Sequence, residues 1–91
     1  MNTIDQIREQ LAALEPLVID IADDSALHAG HAGARSGGGH YRMTIVSSQF
    51  TGKATMARHR LVYHALGTLM KHEIHALSIT AKTPEEFDHS L

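Results

Sequence analysis

The stretch RHRLVYHALGTLMKHEIHALSITAK, residues 58–82, changes its hydrophobic period once, and that change decides the fold. Leu61, Val62, Ala65, Leu66, Leu69 and Met70 recur at the i, i+1, i+4, i+5 spacing of an apolar helical stripe. From His75 onward, His75, Leu77, Ile79 and Ala81 alternate with Ala76, Ser78 and Thr80, the period of a half-buried strand. Upstream, Tyr41, Met43 and Ile45 alternate with Arg42, Thr44 and Val46, and Phe50-Thr51-Gly52-Lys53 turns the chain. A strand–helix–strand order calls for a right-handed crossover and parallel pairing of the second and third strands.

Working outward, Leu17, Ile19 and Ile21 alternate with Val18, Asp20 and Ala22 to give a first strand, expected antiparallel to the second. Before it, Thr3-Ile4-Asp5-Gln6 reads as a capping box, with Thr3 at the N-cap. Ile4, Ile7, Leu11 and Leu14 follow at helical spacing, and Pro16 ends the helix. At the far end, Thr83-Pro84-Glu85-Glu86 places a threonine cap, proline at N1 and glutamate at N3 ahead of a short helix that seats Phe87. The expected fold is α+β in the order αββαβα: one domain over residues 1–91, a three-stranded mixed sheet with helices packed on it. Residues 26–39, almost all Gly, Ala and His, predict a mobile loop. A long loop in so small a domain is a functional hint.

Charge is segregated. Between Ser25 and His72 there is no aspartate or glutamate, and that window holds six of the eight histidines. The formal net charge of −2 therefore conceals a basic, imidazole-rich middle between acidic ends. Such a chain is not a strongly basic, sequence-blind nucleic-acid binder, but its middle suits anions or metals. With no cysteine there is neither a disulfide framework nor a thiolate ligand. No apolar run approaches a membrane span and no signal-peptide pattern opens the chain, so a cytoplasmic location without membrane contact is expected. No catalytic triad, carboxylate pair or phosphate-cradling glycine loop appears, and Gly37-Gly38-Gly39 neither follows a strand nor opens a helix. The chain is not expected to be an enzyme.

Two sets of residues carry candidate chemistry. His28 and His31 stand three apart in the loop, and His75 begins the third strand; neutral imidazole is a common metal ligand. The alternative is an incidental polar loop, with His75 in phase with Leu77 and Ile79, leaning to the apolar face and capping the core through one ring nitrogen. Arg58-His59-Arg60 opens the long helix after Lys53, where backbone N–H groups and positive side chains suit phosphate. Its alternative is a solvated first turn.

Several blocks together resemble the BolA family. They are Arg58-His59-Arg60-Leu61-Val62-Tyr63, Leu66 to Met70, Ile74-His75-Ala76-Leu77-Ser78-Ile79 and Lys82-Thr83-Pro84-Glu85-Glu86, with His40-Tyr41-Arg42 and Val46 to Gly52 before them. The resemblance covers nearly the whole chain in order and implies a class II KH-like domain. It also implies a partnership with a monothiol glutaredoxin as a heterodimer, bridged by a [2Fe–2S] cluster. Glutaredoxin cysteine and glutathione would supply thiolates; the BolA-like chain would supply His75 and a loop histidine, His31 or, in another register, His28. An isolated chain without thiolates would hold no such cluster. Histidine ligation would raise the reduction potential and make binding sensitive to pH. The second implied function is DNA binding and transcriptional regulation through Lys53, Arg58, His59 and Arg60. The Gly-x-x-Gly clamp of a true KH domain is absent, since Thr51-Gly52-Lys53-Ala54-Thr55 offers one glycine, and no aromatic stacking pair is present.

Overall fold

A computed structural model of the protein describes residues 2–25 and 39–89. Helix α1 spans Thr3–Leu11 and runs into a 3-10 turn over Ala12–Leu14. Strands β1, Val18–Asp23, and β2, Gly39–Val46, follow, then a 3-10 turn at Ser48–Phe50. Helix α2 (Thr55–Leu66), the single turn α3 (Leu69–His72), strand β3 (Ile74–Lys82) and helix α4 (Pro84–His89) complete the order. The sheet order is β1-β2-β3, with β1 antiparallel and β3 parallel to β2, as the periodicity and the crossover rule require.

The helices cover one face of the sheet. Ile7, Leu11 and Leu14 of the first helical segment and Val62 and Leu66 of α2 meet Met43 and Ile45 of β2, and Phe50 closes this core fully buried. Side chains of this size each contribute about 1.5–3 kcal/mol when fully buried. Ser47 is fully buried too, and its hydroxyl works in both directions, donating to the Leu14 carbonyl at 2.6 Å and accepting from the Gln49 N–H at 3.1 Å. That bond ties the end of the first helical segment to the end of β2.

Three details depart from the sequence expectation. The first cap is Asn2, whose side chain accepts from the Asp5 N–H, so Thr3 is the first helical residue. Arg58-His59-Arg60 does not open the long helix; α2 begins at Thr55 and these residues form its second turn. Finally, the stripe from Leu61 to Met70 spans two helices, because Gly67 ends α2 with φ 56° and ψ −126°, a conformation reserved for glycine. Leu69 nevertheless stays buried, since α3 resumes the same apolar face.

Candidate metal-ligand site

His75 lies where the parallel ladder breaks register. Gly39 pairs with Ile74, but the next β2 residue, His40, pairs with Ala76, so β3 carries one extra residue there. Ile74 is buried and Leu77 is again turned inward three residues later, which reverses the alternation across the bulge. This corrects the reading of His75 as leaning onto the apolar face in phase with Leu77: its side chain is exposed. The imidazole is therefore presented outward from a rigid strand end.

His40 stands beside it. The two rings lie 5.0 Å apart between centroids and are tilted by 38°. A shallow depression of about 490 Å³ adjoins them, lined by Asp24, His40, Arg42 and Ser78 among others. Arg42 is exposed but paired, its Nε donating to Asp24 Oδ2 at 2.8 Å. His40 is not among the ligand candidates of the sequence, where it stands in the His40-Tyr41-Arg42 block one residue before the β2 alternation. Gly39 is needed just ahead of it, because a Cβ there would fall 2.5 Å from the ring of Tyr41.

Both ends of segment 26–38 are anchored at this spot. The His40 N–H donates to Ser25 Oγ at 3.0 Å, and the Asp24 N–H donates to the His40 carbonyl at 2.7 Å. Ser25 in turn donates its N–H to Asp23 Oδ1, and its hydroxyl and backbone bonds hold the Asp23 carboxyl below the usual carboxylate range. The loop candidates His28 and His31 lie outside the described residues, but the chain that carries them leaves and rejoins the fold next to His40 and His75. Among the described residues no three His, Cys, Asp or Glu side chains gather as a metal-holding group.

The basic candidates are separated by their partners. Arg58 is only 14% exposed at its side chain and is committed: Nη1 and Nη2 grip the Glu86 carboxylate at 2.6 and 3.1 Å, Nη1 also reaches the Ala81 carbonyl, and Nε donates to the Lys53 carbonyl. Arg58 thus staples α2 to β3 and α4, and it holds the Glu86 carboxyl down at about 2. Lys53 and Arg60 are exposed, His59 half-buried, and among the described residues no carboxylate pairs with any of them.

The model of the BolA-like protein family matches residues 11–86. SufE-like protein 1, chloroplastic/mitochondrial, of Arabidopsis thaliana is 45% identical over 87 residues, 89% of this chain and 24% of that protein. The solved structure of BolA1 from Arabidopsis thaliana superimposes with a TM-score of 0.80 at 43% identity, covering 94% of this chain and 96% of that one. The DNA-binding transcriptional regulator BolA of Escherichia coli (strain K12) is 33% identical over 85 residues, 92% of this chain and 78% of that protein. Against the full-length plant and mouse BolA1 proteins, the chain spans only 56% and 53% of their length. Matched family, shared fold and a relative covered over most of its length agree: the chain belongs to the BolA-like protein family.

Proposed function

We propose that this BolA-like chain is a non-catalytic adaptor that pairs with a monothiol glutaredoxin and co-ligates a [2Fe–2S] cluster in iron–sulfur trafficking or iron-status signalling. The observation that carries the reading is the exposed His75 imidazole, fixed on a strand end beside both anchors of the segment bearing His28 and His31. A chain without cysteine contributes nitrogen only, so the thiolate half of the ligand set falls to the glutaredoxin cysteine and glutathione. Such mixed ligation, when the cluster is bound, sets a higher potential than all-thiolate ligation. His75 supplies one nitrogen; the second comes from His31 or His28, with His40 the alternative on the rigid sheet.

Size exclusion of this chain mixed with cluster-loaded monothiol glutaredoxin and glutathione tests it. A coloured heterodimer is expected, and His75→Ala is expected to lose the colour from that peak. Retention of the full spectrum by the variant would contradict the assignment.

The name of the Escherichia coli relative favours a second reading, DNA binding, and the exposed Lys53 and Arg60 supply its phosphate contacts, with His59 between them. The bidentate pairing of Arg58 with Glu86 favours Lys53 and Arg60 over Arg58 as the leading phosphate contacts in that reading. Removing Lys53 and Arg60 together is expected to flatten the salt dependence of DNA binding by about one unit of slope per lost contact. No helix among the described residues is long and apolar enough to cross a membrane. We place the adaptor in the cytoplasm, whereas the name of the Arabidopsis relative places that protein in chloroplast and mitochondrion.

A further inference from the structure

Helix α2 carries charge of one sign: Thr55–Leu66 holds Arg58, His59, Arg60 and His64 and no carboxylate. One side of the helix packs, with Val62 and Leu66 fully buried in the core. The other side is partly apolar. Of the three large apolar residues exposed among the described residues, Leu17, Met56 and Tyr63, two stand on α2, at 70% and 40% exposure. A single exposed apolar side chain needs no explanation, but these two share a ridge. Arg60, also exposed, lies between them. At about 3.6 residues per turn, Met56, Arg60 and Tyr63 fall within a sector of about 60°. Their i, i+4, i+7 spacing is that of the seam along which two helices pack side by side.

Arg60 is set apart from the other described arginines. Arg8 donates to the Ile19 carbonyl, Arg42 pairs with Asp24 and Arg58 with Glu86. Among the described residues Arg60 has no hydrogen-bond or carboxylate partner. Arg58 stands about 200° round the helix axis from Arg60, so the Glu86 carboxylate serves the opposite side. A helix laid along the ridge would cover Met56 and Tyr63 with apolar side chains and bring a carboxylate to Arg60. His59 and His64 flank the ridge on either side, which again favours acid over base in the occupant. We propose that the exposed ridge of α2 is a docking site for an acidic amphipathic helix of a partner protein, one of whose carboxylates pairs with Arg60. The proposal needs neither His75 nor a cluster, and it competes with the DNA reading for Arg60. The ridge favours protein, because duplex affinity comes from several cations meeting phosphates, whereas here one guanidinium is bracketed by apolar side chains.

A blocked peptide of about 20 residues, long enough to be helical alone, tests this. It carries leucine along one seam, one glutamate within that seam and glutamates beside it; a second peptide has lysine at every glutamate. Binding to the full chain is followed by NMR chemical-shift mapping, which registers weak complexes. The glutamate peptide is expected to shift the α2 amides around Arg60 and to bind about tenfold more tightly than the lysine peptide. Arg60→Glu, at an exposed position, is expected to reverse that preference. Tyr63→Ala is expected to weaken binding about fivefold. Leu17→Ala, exposed but off the helix, is expected to leave it unchanged. Equal binding of the two peptides, an unreversed preference in Arg60→Glu, shifts confined to another surface, or no binding would overturn the proposal. So would a duplex oligonucleotide that shifts the same amides while the glutamate peptide does not, which would assign Arg60 to phosphate.

Discussion

The imidazole rings of His40 and His75 lie 5.0 Å apart across a break in the β2–β3 register, and the His40 backbone is bonded to Ser25. Two nitrogen-bearing rings and both ends of a histidine-carrying segment therefore meet at one corner of the sheet. The strand pair needs the bulge to do this, since an uninterrupted alternation would have turned His75 inward with Leu77.

An exposed side chain contributes little to the fold. His75→Ala is expected to change unfolding free energy in urea by less than about 0.5 kcal/mol while abolishing the shared-cluster spectrum. Loss of both together would mean that His75 is structural.

The buried Ser47 hydroxyl serves two backbone groups. Ser47→Ala is expected to cost roughly 1–3 kcal/mol, because the Leu14 carbonyl loses its partner in a buried place and the half-buried Gln49 N–H loses its cap. Denaturant unfolding measures this directly, and a change below about 0.5 kcal/mol would show that the two segments are not coupled through that side chain.

Glu86 sets an acid dependence. Its carboxyl is lowered from 4.5 to about 2, first by the Arg58 guanidinium and then by the Thr83 N–H. A carboxylate with a depressed folded value stabilises the fold above its unfolded value and loses that contribution as pH falls. Stability is thus expected to decline between pH 4.5 and about 2, and Glu86→Gln is expected to flatten the decline. An identical pH profile for variant and parent would contradict the pairing. Arg58→Ala, which also releases the Ala81 and Lys53 carbonyls, is expected to cost roughly 1–2 kcal/mol at neutral pH.

Gly67 turns the chain between α2 and α3 at φ 56°. The nearest atom to an added Cβ is 4.0 Å away, so the obstacle to a side chain is conformational rather than a clash. Gly67→Ala is expected to lower stability by about 1–3 kcal/mol in thermal or urea unfolding. An unchanged midpoint would indicate that the turn relaxes freely.

Local patterns made much of this fold readable. Thr83 and Glu86 cap each other reciprocally as their spacing announces, with Thr83 N–H to Glu86 Oε1 at 2.9 Å and Glu86 N–H to Thr83 Oγ1 at 3.2 Å. The three alternating runs became the three strands, because alternation is a property of neighbouring residues. What escaped depends on distant pairing. The phase of His75 is set by a bulge between β2 and β3, and the partner of Arg58 lies 28 residues further on. The break at Gly67 was masked because the apolar stripe resumes in phase after it. Asn2 displaced Thr3 as a cap because asparagine serves that position better than threonine, and its side chain reaches the Asp5 N–H.

The central claim is that a histidine of this chain donates nitrogen to a shared cluster. Pulsed electron paramagnetic resonance of the reduced complex, prepared from ¹⁵N-histidine-labelled protein and unlabelled glutaredoxin, tests it most directly. Strongly coupled nitrogens carrying the ¹⁵N signature, diminished in His75→Ala, are the predicted result. A spectrum that is the same with and without the label would contradict the account.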